Sequence, residues 1–287
     1  MNIVKVSLRE FLSEFLGTFI LVMFNDGAVA QNVFSNGNMG GPFPAYWGAG
    51  LGACLGVLVS GGVSGGHINP AVTLAMAVWR KLPWAKVPHY LIAQYAGGFL
   101  ASSVLYGVYF DALGHFETTR SLKTASIWAT YPGAVTKADG TIVSDFLSSS
   151  NGFGDQVVGT MLLLICLCAI TDIRNVGIPE YMIPLYLGLV VLNINNCFGL
   201  NCASAINPAR DFAPRVFTLI AGWGKDPFSA TTIEGITWWW VPIVAPHIGG
   251  ILGAGIYVFL IERHHPRETV KNQTRRCLRC KRRKGVE

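Results

Sequence analysis

The sequence contains the tetrapeptide Ile-Asn-Pro-Ala twice, at Ile68-Asn69-Pro70-Ala71 and at Ile206-Asn207-Pro208-Ala209. Asparagine is a favoured helix N-cap, and proline suits the first turn of a helix, where its missing N–H costs nothing. Each copy is therefore predicted to start a helix. The apolar stretches that follow, about residues 69–79 and 207–217, reach roughly 15 Å, half of a ~30 Å hydrocarbon core. Each is too short to cross a membrane and is predicted to be a half-helix.

Six other apolar segments have the length of a membrane-spanning helix, about 20 residues. They are predicted at about residues 8–31, 44–62, 87–109, 156–173, 181–199 and 238–261. The composition agrees, because 51% of the 287 residues are hydrophobic and 13% are charged, whereas an average soluble domain has about 25% charged residues. These values argue against a soluble enzyme or a disordered protein, and they predict an all-α, polytopic membrane protein.

The two halves of the chain resemble each other beyond the tetrapeptide. Glu14-Phe-Leu-Gly17-Thr18 matches Gln156-Val-Val-Gly159-Thr160, and Gly97-Gly98-Phe-Leu matches Gly249-Gly250-Ile-Leu, in the same order along the chain. Each half holds three predicted spans, an odd number, so the second half must be inverted in the membrane. Inverted repeats place a shared site near the midplane, where the N-termini of the two half-helices face each other.

Positive charge predicts the orientation of the chain. If both termini are cytoplasmic, sixteen of the 22 lysines and arginines lie on that side, ten of them at or after Arg263, as the positive-inside rule requires. We expect a cytoplasmic N-terminus at 1–7, a membrane domain at 8–262 and a basic cytoplasmic tail at 263–287. The inverted halves, about 8–110 and 150–262, are joined by a long extracellular loop. Because the net charge of +6 lies largely in the tail, it indicates a membrane flank and no nucleic-acid partner.

The two facing N-termini predict a pore that selects against charge. Each carries about half a positive unit charge, so a cation or hydronium stripped of its hydration is repelled and a neutral solute is not. The side-chain amides of Asn69 and Asn207 can donate hydrogen bonds to a passing oxygen atom. Ordinary buried turns are the alternative, but two inverted copies on half-length stretches favour the pore. No nucleophile motif, phosphate-binding loop or metal cluster is evident, so we expect no catalytic residue, cofactor or metal.

The segments Ser64-Gly-Gly-His67-Ile-Asn69-Pro70-Ala71-Val-Thr and Asn207-Pro208-Ala209-Arg210-Asp211 resemble the two signature loops of the aquaporin, or major intrinsic protein, family. The resemblance covers about residues 8–262. It implies an aquaporin-like right-handed bundle of six transmembrane helices and two half-helices, assembled as a homotetramer in the lipid bilayer with one pore per subunit.

Asp211 directly follows the second Asn-Pro-Ala-Arg motif, and in this family that position marks the glycerol-conducting branch, the aquaglyceroporins. Arg215 and the pair Pro242-Ile243 also match that branch. A carboxylate in the first turn of a half-helix is favoured by the helix dipole. A purely local structural role, such as orienting a neighbouring loop, is therefore the alternative for Asp211.

The family's selectivity filter, carried over by counting from the two asparagines, falls on Ala49, Asn195, Ser204 and Arg210. The guanidinium of Arg210 offers a fixed fork of donors to hydroxyl groups and repels cations. The other three residues are small or polar, which predicts a wide, hydrophilic mouth unless an aromatic side chain fills the space beside Ala49. The candidates for that are Phe43, Tyr46 and Trp47.

Four further polar features accompany these motifs. His67 is predicted either to line the pore or to be satisfied by loop carbonyls. The resemblance implies that Glu14 braces the first signature loop by accepting backbone N–H bonds. Asn195 and its asparagine neighbours either line the pore or bond between helices. Asn25-Asp26 lie where the family usually has small residues, and the sequence offers no physical account of this pair.

These features predict a passive channel for glycerol, water and other small neutral solutes, such as urea and small polyols, that excludes protons and ions. We expect it in the plasma membrane, with both termini in the cytoplasm. A water-selective channel is one alternative, against which Asp211 and the small filter residues argue. A non-conducting membrane scaffold is another, against which Asn69, Asn207 and Arg210 argue, because adhesion does not need them.

Overall fold

The computed structural model of the protein describes residues 3–136, 142–144 and 146–266. These residues form α-helices joined mostly by short connections, with 3₁₀ turns at Trp84–Lys86, Glu180–Met182 and Glu262–His264. The elements in chain order are α1 (Ile3–Phe34), α2 (Phe43–Ser64), α3 (Pro70–Val78), α4 (Val87–Val108), α5 (Phe110–Phe116), α6 (Leu122–Ala125), β1 (Ala134–Thr136), β2 (Ile142–Ser144), α7 (Ser149–Thr171), α8 (Ile183–Cys202), α9 (Pro208–Ile220), α10 (Asp226–Ser229) and α11 (Val241–Leu260).

Six helices, namely α1, α2, α4, α7, α8 and α11, are long and apolar enough to cross a membrane. They confirm the six predicted spans and the all-α membrane fold. The sequence did not predict the small elements outside the membrane. These include the helices α5, α6 and α10 and an antiparallel hairpin in which Val135 on β1 lies opposite Val143 on β2.

The two halves exchange their half-helices. In the first half α1 packs against α2 and α4, and in the second half α7 packs correspondingly against α8 and α11. The half-helix α3 packs against α11 of the second half, and α9 packs against α4 of the first. Because each half holds the short helix of the other, the N-termini of α3 and α9 are brought together inside the bundle.

The repeated Gly-Gly pairs make this exchange possible. A Cβ on Gly97 of α4 would lie 2.3 Å from the carbonyl oxygen of Phe15, and one on Gly249 of α11 would lie 2.2 Å from that of Val157. The second glycine of each pair faces a half-helix: a Cβ on Gly98 would lie 2.9 Å from the Ala209 carbonyl oxygen. Small residues let membrane helices approach at backbone distance, so each pair sets the position of one spanning helix and one half-helix.

We expect Gly249→Ala to destabilise the protein by about 1–3 kcal/mol, the usual cost of overpacking a close contact. Its new methyl group would meet backbone atoms of α7, which cannot rotate away. The matched control is Gly107→Ala on α4, where nothing lies within 4 Å of the added carbon. Thermal unfolding in detergent, followed by tryptophan fluorescence, compares the two variants. Equal unfolding temperatures for both would contradict this account of the glycine pairs.

Three helix ends differ from the sequence prediction. Helix α7 begins at Ser149 rather than near residue 156, because the Ser148 hydroxyl accepts a hydrogen bond from the Asn151 backbone N–H (3.2 Å) and caps a polar first turn. Helix α9 continues to Ile220 across Pro214. Helix α1 already begins at Ile3, within the predicted N-terminal segment 1–7. The predicted basic tail beyond residue 266 lies outside the described residues.

Candidate functional site

The two Asn-Pro-Ala turns meet inside the bundle and bond to each other. Asn69 caps α3 by accepting from the Ala71 N–H (2.9 Å), and its Nδ2 donates to the Ile206 carbonyl oxygen (2.9 Å). Asn207 caps α9 by accepting from the Ala209 N–H (3.0 Å), and its Nδ2 donates to the Ile68 carbonyl oxygen (2.8 Å). Each asparagine therefore starts its own half-helix and links it to the opposite loop. A primary amide has two N–H donors, so each retains one after this link.

Both loops are held in a conformation that their residues do not favour. Ile68 and Ile206, which precede the two asparagines, have φ values of 44° and 40°. This left-handed region is a clear outlier for a β-branched residue, and such strain persists only where the surroundings impose it, often at functional sites. Both isoleucines use the resulting carbonyl orientation to accept from the asparagine of the other loop.

Glu14 imposes the conformation of the first loop. One carboxylate oxygen accepts from the His67 N–H (2.9 Å), and the other accepts from the Ile68 N–H (2.7 Å) and from Gln94 Nε2 (2.7 Å). The Ser64 hydroxyl donates to the same carboxylate. Glu14 is fully buried. All of its partners are donors, so the side chain at this position has to act only as an acceptor.

In the second half, Gln156 holds the corresponding place. Its Oε1 accepts from the Ile206 N–H (3.1 Å), and its Nε2 donates to Cys202 Sγ (2.9 Å). One backbone N–H, rather than two, depends on this side chain. The inverted repeat therefore uses a carboxylate in one half and an amide in the other, according to the number of donors that face it.

We expect Glu14→Gln to cost about 1–3 kcal/mol of stability, the penalty for a buried donor left unsatisfied. Glutamine has one acceptor oxygen, so either the His67 or the Ile68 N–H would face an NH₂ group. Water permeability should fall as well, because the loop that presents Asn69 would relax. Glu262→Gln is the control, since its carboxylate pairs with Lys81 at the surface and such pairs contribute up to about 1 kcal/mol. The prediction fails if both variants unfold at the same temperature in detergent.

A narrow cavity of about 70 Å³ runs past the junction of the two half-helices, with room for only a few water molecules. One part of its wall is apolar and includes Leu21, Val57, Val72, Leu163 and Leu187. Another part of the lining carries hydrogen-bonding side chains, which are Asn25, His67, Asn69, Asn195, Ser204, Asn207 and Arg210. An amphipathic wall of this kind can form hydrogen bonds with the hydroxyl groups of a solute and contact its carbon backbone.

The four positions carried over as a selectivity filter all line this cavity. Ala49 comes from α2, Asn195 from α8, Ser204 from the second loop and Arg210 from α9. Among the described residues that line the cavity, the sole aromatic ring is the imidazole of His67. The space beside Ala49 is therefore not filled by the candidates from the sequence, since Phe43 and Trp47 are 55% and 41% exposed and Tyr46 packs against Gly199.

The geometry distinguishes between the alternatives for Asn195 and for His67. Asn195 lines the cavity, and its Nδ2 donates to the Val191 carbonyl oxygen of its own helix (2.9 Å), with no interhelical bond among the described residues. His67 also lines the cavity, and its Nδ1 lies 3.1 Å from the Thr73 hydroxyl rather than against a loop carbonyl. Its ring makes an edge contact with Tyr90.

Asp211 does not line the cavity and instead ties α9 to the long connecting loop. Its Oδ2 accepts from the Thr130 N–H (2.7 Å) and hydroxyl, and its Oδ1 pairs with Arg215 (2.9 Å). Arg215 donates in turn to the carbonyl oxygens of Thr130 and Pro227, and it stacks over the Tyr131 ring. Burial raises the pKa of Tyr131 well above that of a free phenol, so the ring stays neutral. Both charged residues are fully buried.

The position of Asp26 beside Arg210 was not predicted from the sequence. Its carboxylate is fully buried, and its Oδ1 lies 3.9 Å from Nη2 of Arg210. Asn25 Nδ2 donates to the same oxygen (2.8 Å). The sequence did contain a signal, because an ionisable residue within a membrane span is energetically costly and usually functional. No local pattern indicated which residue is the partner of Asp26.

Spanning helices around two facing half-helices, with a narrow, partly polar cavity between them, define an integral, multi-pass membrane protein of the channel type. The profile described as Major intrinsic protein matches residues 2–257. The chain belongs to this family, whose members are channels and not enzymes.

Individual relatives agree with this assignment. The chain is 44% identical to human aquaporin-9 over 270 residues, covering 92% of this chain and 86% of that protein. It is 43% identical to human aquaporin-10 over 263 residues, covering 90% and 82% of the two proteins. The crystal structure of the aquaglyceroporin from Plasmodium falciparum superposes with a TM-score of 0.77 at 32% identity, covering 89% of this chain and 97% of that one.

Proposed function

We propose that this protein is an aquaglyceroporin, a passive channel for glycerol, water and other small neutral solutes, including urea and small polyols. The observation that carries the proposal is the cavity at the junction of the two Asn-Pro-Ala turns, which has small or polar residues around Arg210. The relatives named aquaporin-9, aquaporin-10 and aquaglyceroporin support the same assignment.

Conduction is explained by the donors and acceptors along the cavity. Asn69 and Asn207 each keep one amide N–H for a passing oxygen atom, while their other N–H holds the opposite loop. The Ser204 hydroxyl and Nη1 of Arg210 are buried without a hydrogen-bond partner among the described residues. A solute hydroxyl can therefore exchange its water for these groups as it moves, and the apolar wall accepts its carbon atoms.

Exclusion of protons and cations follows from the two helix N-termini. Each adds about half a positive charge, and Arg210 adds a full one at the filter. A hydronium or metal ion in this cavity would lose most of its hydration and meet repulsion at both places. A neutral molecule loses only hydrogen bonds that the channel replaces.

The small side chains of the filter favour glycerol over water alone as the permeant. Ala49 and Ser204 leave space that a bulky side chain would fill in a filter narrowed for water. The same argument extends to urea, which has donors and an acceptor in a compact plane. A water-selective channel and a non-conducting scaffold are the alternatives that the measurement below must exclude.

We further propose a homotetramer in the plasma membrane with both termini in the cytoplasm. Apolar side chains on α2 and α8, such as Leu51, Leu55, Leu58, Leu185 and Leu189, are exposed on the single chain and need lipid or a neighbouring subunit to cover them. The positive-inside distribution supports the orientation. Light scattering of the protein in detergent, after chromatography, tests the subunit number.

The proposed function is tested by stopped-flow light scattering on proteoliposomes, with separate osmotic steps of glycerol, urea and an impermeant solute. Glycerol entry far above that of protein-free liposomes is the expected result, together with water flux and no dissipation of a proton gradient. Water flux without glycerol entry would establish the water-selective alternative. If the folded protein conducted neither glycerol nor water, the non-conducting scaffold would be the remaining explanation.

A further inference from the structure

We propose that Asp26 is a specificity-determining residue of the filter, which holds the Arg210 side chain back against α1 and so keeps the cavity wide enough for glycerol. The inference deepens the proposed function and rests on it. It concerns a position outside the motifs that define the family and the branch.

The two charged residues differ in their position relative to the cavity. Arg210 lines the cavity, whereas Asp26 is fully buried and is absent from the lining. The carboxylate therefore attracts the guanidinium from outside the cavity lining. Attraction toward Asp26 draws it out of the path, toward α1.

The contact is an ion pair without a hydrogen bond. The distance from Arg210 Nη2 to Asp26 Oδ1 is 3.9 Å, too long for an N–H···O bond. In the part of the chain that the structure describes, Nη1 of Arg210 and Oδ2 of Asp26 are buried and have no hydrogen-bond partner. The position of the guanidinium thus depends on charge attraction rather than on a fixed network. Removing that attraction leaves its long side chain free to turn toward the cavity.

Asn25 fixes the carboxylate that holds Arg210. Its Nδ2 donates to Asp26 Oδ1 (2.8 Å), and its own side chain belongs to the cavity lining. A buried charge in a membrane span is costly, so a carboxylate kept at this place by a neighbouring amide needs a compensating charge. Arg210 supplies it. Asn25 and Asp26, whose presence the sequence did not explain, thereby have a role at the filter.

The consequence is a difference between large and small solutes. A guanidinium released into the cavity narrows the path that glycerol needs, while a water molecule can still pass beside it. Loss of the Asp26 charge should therefore lower glycerol permeability more than water permeability. A residue that merely supported the fold would lower both together.

The test compares Asp26→Asn with wild type in proteoliposomes of equal protein content, measuring glycerol and water permeability on the same preparation. We expect the glycerol-to-water ratio to fall about threefold or more, in line with typical coupling between contacting residues. Asp111→Asn is the matched control, because Asp111 is exposed on α5, and α5 lies beside the end of α1 that follows Asp26. Its ratio should stay at the wild-type value. If Asp26→Asn does not fold, Asp26→Ser is measured by the same criterion.

A double-mutant cycle shows whether Asp26 acts through Arg210. In an Arg210→Ala background, adding Asp26→Asn should not change the ratio further, because the group that it positions is gone. An equal change in both backgrounds overturns the proposal, as does an unchanged ratio in the single variant or a uniform loss of both permeabilities. If Arg210→Ala does not fold, the comparison of Asp26→Asn with its control Asp111→Asn tests the proposal. Wild-type protein that admits no glycerol refutes the proposed function itself, which separates the two failures.

Discussion

Asn207→Asp should reduce glycerol permeability by at least about tenfold, which corresponds to about 1.4 kcal/mol in the barrier. In the wild type, Nδ2 donates to the Ile68 carbonyl oxygen at 2.8 Å. An aspartate would place an acceptor there, so two oxygen atoms would face each other and a buried carbonyl would lose its donor, at a cost of about 1–3 kcal/mol. The donor that meets the solute would be lost as well. Stopped-flow measurement of glycerol entry checks the result.

The same variant should also weaken the barrier to cations. A carboxylate beside the two helix N-termini offsets their positive partial charges, so a pH-sensitive dye inside the liposomes should report faster proton entry than for wild type. Asn69→Asp should behave similarly, because its Nδ2 makes the corresponding bond to Ile206. Asn36→Asp is the control. Its exposed side chain accepts from Lys123 Nζ (2.9 Å), and a carboxylate serves that lysine equally well. Unaltered glycerol flux in Asn207→Asp would show that the amide donors do not serve permeation.

Arg215→Met should destabilise the protein by about 3–5 kcal/mol, the cost of leaving one charge of a buried ion pair uncompensated. Asp211 and Arg215 are both fully buried, with Nη2 and Oδ1 2.9 Å apart. The methionine fills most of the volume but leaves the Asp211 charge without its partner. The Thr130 and Pro227 carbonyl oxygens also lose their donor. Thermal unfolding in detergent should show a correspondingly large drop in the transition temperature.

Arg174→Met is the matched control for this prediction. Arg174 pairs with Asp172 and Glu262, but its side chain is 47% exposed, and surface pairs contribute up to about 1 kcal/mol. The double variant Asp211→Asn, Arg215→Met should recover part of the lost stability, because no uncompensated charge remains. If Arg215→Met and Arg174→Met cost the same, the buried pair does not stabilise the loop as described.

Asp211 contacts the connecting loop rather than the cavity. Its carboxylate binds the Thr130 backbone and hydroxyl and stays outside the cavity lining. The alternative of a local structural role, left open by the sequence, therefore agrees with its geometry. Through Thr130 and Arg215, it ties the connecting loop to the half-helix that carries Arg210.

The sequence alone determined the architecture, because the signals for it are local. An asparagine before a proline favours a helix start, and a run of about 20 apolar residues has the length needed to span a membrane. The order of the repeated motifs then required two inverted halves. The Gly-Gly pairs were visible as repeats, but their purpose was not, since it depends on carbonyl oxygens of Phe15, Val157, Ala71 and Ala209 in other helices.

Only the tertiary structure decided which polar groups face each other. Glu14 accepts from a loop about fifty residues later in the chain, and Asp26 of α1 meets Arg210 of the last half-helix. No local pattern predicts such pairs. A buried charge needs a partner nearby in space, but that partner can come from any part of the chain. The size of the cavity, the brace on each loop and the position of the arginine are consequences of how the two inverted halves pack.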